Sequence, residues 1–332
     1  MRLAAVGGLS RRSAQLSRPG RVAAALSLAA ALLGCASDKP EPTKLEPVTA
    51  QIAGRQVWNS VVGGVQFPLA VTVRDGAFIV AGSDGLVLAV DAQTGTERWR
   101  GQAGGKLSAG VGSDGRLAAV VTVDNELVVL EQGVKKWATR LASRTTTAPL
   151  VAGERVFVLG VDRVVHAFDA IDGRRLWTQQ RPGEALTLAQ PGVLAAYKNT
   201  LVAGVGAQLL GLDPTNGSVR WEVPVTSPRG TNEVERLNDL VGPVLRVGDT
   251  LCARAFQAAV GCVNVTGVDR ANLRWSRVVG GQKAVGGDAD FIFGAMAPTG
   301  SAPGRPLLVN WPGPMSACFT ATSARPCRLA RP

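Results

Sequence analysis

Histidine and tyrosine are nearly missing from this chain, which has one of each among its 332 residues. A single His cannot supply a multi-histidine metal site, and its isolation argues against a Ser-His-Asp triad. Charged residues make up only 18% of the chain, whereas hydrophobic residues make up 46%. This balance excludes wholesale disorder and allows the chain to bury a sizeable core.

The basic excess is confined to the ends of the chain. The net charge is +11, but residues 1–34 hold five Arg and no acid, and residues 295–332 hold four Arg and no acid. The 27 basic and 25 acidic side chains of residues 35–294 nearly cancel. A nucleic-acid partner needs a basic patch or stripe on the folded domain, so no such partner is expected.

The amino terminus is typical of an exported protein. Five Arg precede an apolar stretch at 22–33, which is too short to span a bilayer as a helix. The stretch ends in Leu32-Leu33-Gly34-Cys35, which resembles the lipobox of bacterial lipoproteins. This resemblance implies a signal peptide at 1–34, lipid attachment at Cys35 and a polar tether at 35–52. The alternative is a Cys that merely ends a signal peptide. Because Ala36 rather than Asp follows the Cys, the resemblance also implies delivery to the outer membrane, facing the periplasm.

Tryptophan recurs about every 40 residues, an interval typical of repeat architectures. In three units an Asp is followed by Gly four positions later and by Trp four positions after that, at residues 91–99, 169–177 and 213–221. The recurring residues are Trp58, Trp99, Trp137, Trp177, Trp221 and Trp275.

One repeat unit divides into four strands. Apolar strands at 78–81 and 86–90 flank a tight turn, a further strand at 68–73 precedes them, and a fourth at 96–99 ends in Trp. Four antiparallel strands predict the blade of a β-propeller, with Trp packed between neighbouring blades because one blade cannot bury both its faces. About six blades are recognisable within residues 53–294. A β-sandwich with scattered Trp is the alternative.

The repeats resemble the PQQ-like propeller repeat, and together with the lipobox they resemble the BamB family of assembly lipoproteins. The loop Arg229–Asp239, which contains Glu-Arg-Leu-Asn-Asp at 235–239, is similar to a loop of that family. The resemblance implies an eight-bladed fold without catalysis. It also implies a lipid-anchored periplasmic scaffold that binds a POTRA domain of BamA and supports the folding and insertion of outer-membrane proteins.

The resemblance further implies two adjacent partner-binding loops. One maps onto Glu235, Arg236 and Asp239, and the other onto Leu186 and Leu188. The second loop has a Leu-x-Leu-Arg pattern in the family, and here Ala replaces that Arg. Two exposed Leu with a charged rim would make a small apolar anchor. The alternatives are ordinary strand packing for the two Leu and a solvated loop with a local Arg236 ion pair for the acids.

A PQQ-dependent dehydrogenase is the alternative function, because such enzymes share the propeller. They need a metal-binding carboxylate cluster, a catalytic Asp and commonly adjacent Cys residues, and no Cys-Cys pair occurs here. His166 lies in an alternating strand at 164–168, and we interpret it as structural. We therefore expect no catalytic residue, cofactor or metal. A periplasmic binding propeller outside the assembly machinery is the third alternative.

The sequence changes character at about Ala295. Residues 295–332 hold seven of the 19 Pro and no Asp–Gly–Trp unit, and Pro-rich segments cannot supply central strands. We expect an irregular tail there and an incomplete propeller, in a BamB relative that is truncated or read out of frame from about 295. A strand at Val57-Trp58 would then lack its carboxy-terminal partner. A smaller, complete propeller with an irregular closing segment is the alternative.

A disulfide between Cys252 and Cys262 depends on the register of one hairpin. The two Cys flank that predicted hairpin, and a bond requires them to lie directly opposite one another. A shift of one residue would place them on opposite faces of the sheet. The spacing leaves both outcomes open.

Overall fold

The computed structural model describes residues 55–183, 186–288, 291–295, 307–309 and 316–320. The chain divides into two units, residues 1–45 and 46–332, and all described residues belong to the second. The predicted signal peptide, Cys35 and the tether lie outside them. None of the described residues forms a helix that is long and apolar enough to cross a bilayer.

All regular secondary structure in this described part is β-strand, arranged in six four-stranded sheets that we call blades 1 to 6. Blade 1 comprises β1 (Thr72–Arg74), β2 (Ala77–Ala81), β3 (Leu86–Asp91) and β4 (Glu97–Gln102). Blade 2 comprises β5 (Gly112–Ser113), β6 (Leu117–Val121), β7 (Glu126–Glu131) and β8 (Val134–Arg140). Blade 3 comprises β9 (Leu150–Ala152), β10 (Arg155–Leu159), β11 (Val164–Asp169) and β12 (Arg175–Gln180).

The remaining blades follow in chain order. Blade 4 comprises β13 (Leu194–Tyr197), β14 (Thr200–Val205), β15 (Gln208–Leu212) and β16 (Val219–Pro224). Blade 5 comprises β17 (Leu240–Val247), β18 (Thr250–Ala255), β19 (Ala259–Thr266) and β20 (Arg270–Arg277). Blade 6 comprises β21 (Gly286–Gly287), β22 (Phe291–Ala295), β23 (Leu307–Val309) and β24 (Ser316–Thr320). In blades 1 to 5 consecutive strands pair antiparallel, which confirms the predicted four-stranded blades.

Blade 2 shows how a blade buries both of its faces against its neighbours. In blade 2, Ala118, Val120 and Val128 pack with residues of blade 1, whereas Ala119 and Val129 pack with residues of blade 3. Because alternate side chains of a strand point to opposite faces, both sets must be apolar. The middle strands therefore read as continuous hydrophobic runs, and separate clusters fill each gap between blades.

The recurring indole locks one blade to a turn of the next. The Trp177 Nε1–H of blade 3 donates to the carbonyl oxygen of Pro214 in blade 4 at 3.0 Å, and a Cβ on Gly217 would lie 2.6 Å from the indole. Trp137 bonds the Ala170 carbonyl oxygen at 2.9 Å in the same way, over Gly173. In both cases the Trp of one unit meets the Gly of the following unit, because only Gly leaves room for the ring.

Trp221 departs from this arrangement. Its indole lies against Gly211 of its own blade, and its buried Nε1 lacks a hydrogen-bond partner among the described residues. The turn ahead of it, around Gly267, is the degenerate one that lacks the Asp of the other units. The next blade therefore lacks the Asp–Gly turn against which the indoles of Trp137 and Trp177 pack.

The turn that seats Trp177, at residues 213–217, is also held by an Asp and an Arg of its own blade. Asp213 accepts the Thr215 N–H at 2.7 Å, and Arg220, which precedes Trp221, donates to its second oxygen. Hydrogen bonds from Thr215, and then from Arg220, lower the pKa of Asp213 to about 2. Arg220 is the extra residue of a β-bulge opposite Gly211 and Leu212. The bulge turns its side chain back to the turn, and Arg98, which precedes Trp99, bonds Asp91 of its own turn in the same way.

Two predictions about the ends need correction. Segment 295–332, predicted to be irregular, contains β23 and β24, and β24 pairs in parallel with β22. Neither strand contains a Pro, so every residue of β23 and β24 has the backbone N–H group that strand pairing needs. The expected strand at Val57-Trp58 does not form: residues 55–71 contain no strand. Trp58 nevertheless donates to the Ala92 carbonyl oxygen at 3.1 Å, as the Trp of a preceding blade would.

Replacement of Gly217 tests the indole lock. Gly217→Ala introduces a methyl group into the ring of Trp177, whereas Gly267→Ala, at a similar positive φ of 69° against 77°, meets no atom within 4 Å. The control should lose about 1 kcal/mol of unfolding free energy through backbone strain, and Gly217→Ala about 1–3 kcal/mol more. Equal losses for the two variants in urea unfolding would contradict the lock.

Candidate functional site

Two loops from different blades meet at one place on the propeller. The leucine loop, residues 186–193, joins β12 to β13, and the acidic loop, residues 225–239, joins β16 to β17. The Leu188 backbone N–H donates to Asp239 Oδ2 at 2.9 Å. The structure thus brings together the two segments that the sequence analysis placed in one site, although Leu188 and Asp239 are 51 residues apart.

Arg163 joins both loops, and the sequence analysis did not identify it. Its Nη2 donates to Asp239 Oδ1 at 3.1 Å and to the Leu186 carbonyl oxygen at 2.9 Å. The Arg163 and Asp239 side chains are only 11% and 15% exposed. Asp239 is therefore committed to holding the loops together and is not an exposed acceptor on the rim.

The position of Arg163 in its turn is unusual for its residue type. It ends the tight turn between β10 and β11 with φ of 62°. The corresponding turns of blades 1 and 2 place Gly85 and Asn125 there, residues that tolerate left-handed backbone. This comparison between repeats is the sequence signal that could have identified Arg163, because Arg has no advantage at such a position unless its side chain is needed.

The predicted Leu residues differ in exposure. Leu186 is 40% exposed, whereas Leu188 is partly buried beside Asp239. Val234, on the acidic loop, is 70% exposed. Ala189, which stands in place of the Arg in the family pattern, is also exposed. The guanidinium that meets the acidic loop comes instead from Arg163.

Glu235 is bonded within its own loop. Its Oε2 accepts the Thr231 backbone N–H at 2.7 Å and the Thr231 hydroxyl at 3.1 Å, and Asn232 Oδ1 accepts the Glu235 N–H. Hydrogen bonds from Thr231, above all from its backbone, hold the pKa of Glu235 below its usual value of 4.5. Glu235 thus shapes the turn at 231–237, and nothing among these contacts tests its predicted role towards a partner.

A cleft of about 520 Å³ opens beside the two loops. Arg236, the third acidic-loop residue singled out from the sequence, lines this cleft with Arg163 and Arg181. Glu222 forms an ion pair with Arg181. The cleft therefore combines both charge signs, and the local pair expected for Arg236 stays a prediction.

Residues within or just before the first strands of blades 1 to 5 line a cavity of about 270 Å³, and none of the described residues that line it is a carboxylate. Over the described residues, no group of three or more His, Cys, Asp and Glu side chains could hold a metal. The lining is mainly apolar and small: it includes Leu69, Val71, Thr146, Thr147, Pro191 and Pro243.

His166 is a buried structural side chain. It is 7% exposed, and its Nδ1 lies 3.1 Å from the Thr178 hydroxyl on the neighbouring strand. Burial, the largest cause, lowers the pKa of His166 below 6.5. Its ring also lies 6.2 Å from that of Phe168, so its hydrogen bond and its ring contact are both within blade 3.

A disulfide closes the middle hairpin of blade 5. Cys252 and Cys262 lie directly opposite one another on β18 and β19, and their sulfur atoms are bonded. Both side chains are fully buried beside Trp275. The hairpin has the register that the sequence analysis required for this bond.

Comparison with known proteins identifies the family. The sequence model of the family described as outer membrane protein assembly factor BamB matches residues 83–303. The BamB protein of Bordetella pertussis is 35% identical over 261 residues, which cover 75% of this chain and 68% of that relative. The chain belongs to the BamB family. This confirms the predicted resemblance.

Other BamB proteins support the same assignment. The relative from Burkholderia pseudomallei is 34% identical over 284 residues, covering 82% of this chain and 74% of that protein. The crystal structure of BamB from Moraxella catarrhalis has a TM-score of 0.63 and 20% identity, covering 73% of this chain and 72% of that structure. At that identity the structural likeness shows the fold alone, and it confirms the propeller class.

The titration of Glu235 tests the geometry of the acidic loop. Because the Thr231 bonds favour the carboxylate, its folded pKa is lower than 4.5. These bonds are present above about pH 4.5 and are lost as the pH falls through the lower, folded value. NMR titration of the Thr231 amide should give a midpoint below 4.5, and Glu235→Gln should abolish the titration. A midpoint at or above 4.5 would contradict the bonds.

Proposed function

We propose that this chain is a non-catalytic, lipid-anchored scaffold that faces the periplasm and supports the assembly of outer-membrane proteins. Its relatives carry the name outer membrane protein assembly factor BamB. The mainly apolar lining of the cavity beside the first strands of blades 1 to 5, as far as it is described, favours a scaffold over a quinone-dependent dehydrogenase. In this proposal the scaffold presents binding loops at fixed positions, and the outer-membrane protein is the chain that folds.

BamA is the proposed partner, and the paired loops are the proposed contact surface. The observation that carries this proposal is that Leu186 and Asp239, which are 53 residues apart in sequence, are tied to one guanidinium. A prealigned pair of loops loses less conformational entropy on binding than two independent loops. Leu186 offers an exposed apolar side chain for a POTRA domain.

The lipid anchor is proposed at Cys35, which lies outside the described residues. The lipobox-like Leu-Leu-Gly-Cys and the polar residues that follow support this proposal. Three acyl chains on the amino-terminal Cys would hold the propeller stably at a membrane, because a single chain gives only marginal binding. The residue after Cys35 is Ala, which favours the outer membrane as the destination.

Leu186→Asp tests the contact surface. It places a charge where the apolar anchor is proposed and leaves the backbone carbonyl that Arg163 uses. Leu273→Asp in blade 5 is the control, because Leu273 is 41% exposed and Leu186 is 40% exposed. Binding to the BamA periplasmic domain should weaken about tenfold for Leu186→Asp only. Equal affinities of both variants and the unchanged chain would contradict the surface.

Cys35→Ala tests the anchor. The variant should move from the membrane to the soluble periplasmic fraction, because no acyl chain can be attached. Fractionation with the unchanged chain in parallel measures this. If the Cys35→Ala/Leu186→Asp double variant, in which BamA binding is also weakened, remained with the outer membrane as fully as the unchanged chain, the lipid anchor would be wrong.

A further inference from the structure

Arg163 has a left-handed backbone conformation at a position where the corresponding turns of blades 1 and 2 have Gly85 and Asn125. Its turn is closed by the same bonds as the turn of blade 2: Arg163 N–H donates to the Gly160 carbonyl oxygen at 3.1 Å, and Asn125 N–H donates to that of Thr122 at 3.1 Å. Both residues have φ of 62°. Asn adopts this conformation readily, whereas for Arg it is a strain that persists only where the surroundings require the residue.

The side chain explains the requirement. One guanidinium nitrogen bonds Asp239 on the acidic loop and the Leu186 carbonyl oxygen on the leucine loop. The second Asp239 oxygen accepts the Leu188 N–H. The two loops and the β10–β11 turn are therefore joined through two side chains that are both nearly buried. In such a poorly hydrated place a charge-assisted bond is strong, and loss of one partner leaves the other charge unpaired.

We infer that Arg163 is a positioning residue for partner binding, which prealigns the leucine and acidic loops without contacting the partner. The inference rests on the proposed function and deepens it. The partner would bind a surface that includes the exposed Leu186 side chain. The nearly buried Arg163–Asp239 pair would fix the shape of that surface without being part of it. The affinity of the surface then depends on a residue that the partner does not reach.

Arg163→Gly separates this role from a role in folding. Glycine is suited to φ of 62°, so the turn itself is relieved of strain while the side chain is lost. Asn125→Gly in blade 2 is the matched control, because it makes the same backbone change away from both loops. With the full chain, the thermal midpoint should fall for Arg163→Gly, because Asp239 loses its partner, and should be unchanged for Asn125→Gly. Binding is measured well below both midpoints, so that a loss of binding cannot be assigned to unfolding.

Two measurements decide the inference. Amide exchange of Leu188 should accelerate about tenfold in Arg163→Gly, because its acceptor Asp239 is no longer held, and affinity for the BamA periplasmic domain should fall about tenfold. Asn125→Gly should change neither. The double variant Arg163→Gly/Asp239→Asn should bind no more weakly than the weaker single variant, because both remove the same link.

The outcomes separate this inference from the proposed function. If the unchanged chain binds and Arg163→Gly binds equally well, Arg163 is not a positioning residue. If affinity falls while Leu188 exchange is unchanged, Arg163 acts by touching the partner, and the inference is also wrong. If the unchanged chain does not bind BamA at all, the proposed function fails. In that event the Leu188 exchange rates still decide whether Arg163 aligns the loops.

Discussion

The indole of one blade seated on the glycine turn of the next is the interaction on which the rest of this structure depends. A single four-stranded blade has two apolar faces and cannot bury either alone. The bonds from Trp137 and Trp177 to carbonyl groups of the following blades fix how blade 2 meets blade 3 and how blade 3 meets blade 4. Because the leucine loop leaves blade 3 and the acidic loop leaves blade 4, this fixed relation is what brings Leu188 and Asp239 within hydrogen-bond distance.

The repeated unit could be predicted from the sequence, but which neighbouring blade each Trp contacts could not. The Trp spacing and the Asp–Gly–Trp pattern were sufficient to predict four-stranded blades, since both are local. The pairing of Trp177 with Gly217 rather than with Gly173 of its own unit depends on how two sheets face each other. Likewise the bulge that directs Arg220 onto Asp213 is a feature of strand register, which a single sequence does not state.

The candidate site was predictable in part for a similar reason. A family resemblance located Leu186, Leu188 and the acidic loop, but it presented Asp239 as an exposed charge. The structure commits that carboxylate to Arg163 and Leu188. Arg163 lies 76 residues before Asp239, in a turn closed like the corresponding turns of blades 1 and 2. Its residue type distinguishes it from Gly85 and Asn125, which hold the same position in those two blades.

The lock between blades is tested most directly by double-mutant cycles in urea unfolding. Trp177→Leu should remove most of the clash that Gly217→Ala introduces, so this pair should show a coupling of about 1 kcal/mol or more. Trp177→Leu and Gly173→Ala, which belong to the same unit but touch different blades, should be additive. Coupling of Trp177 to Gly173 rather than to Gly217 would contradict the account.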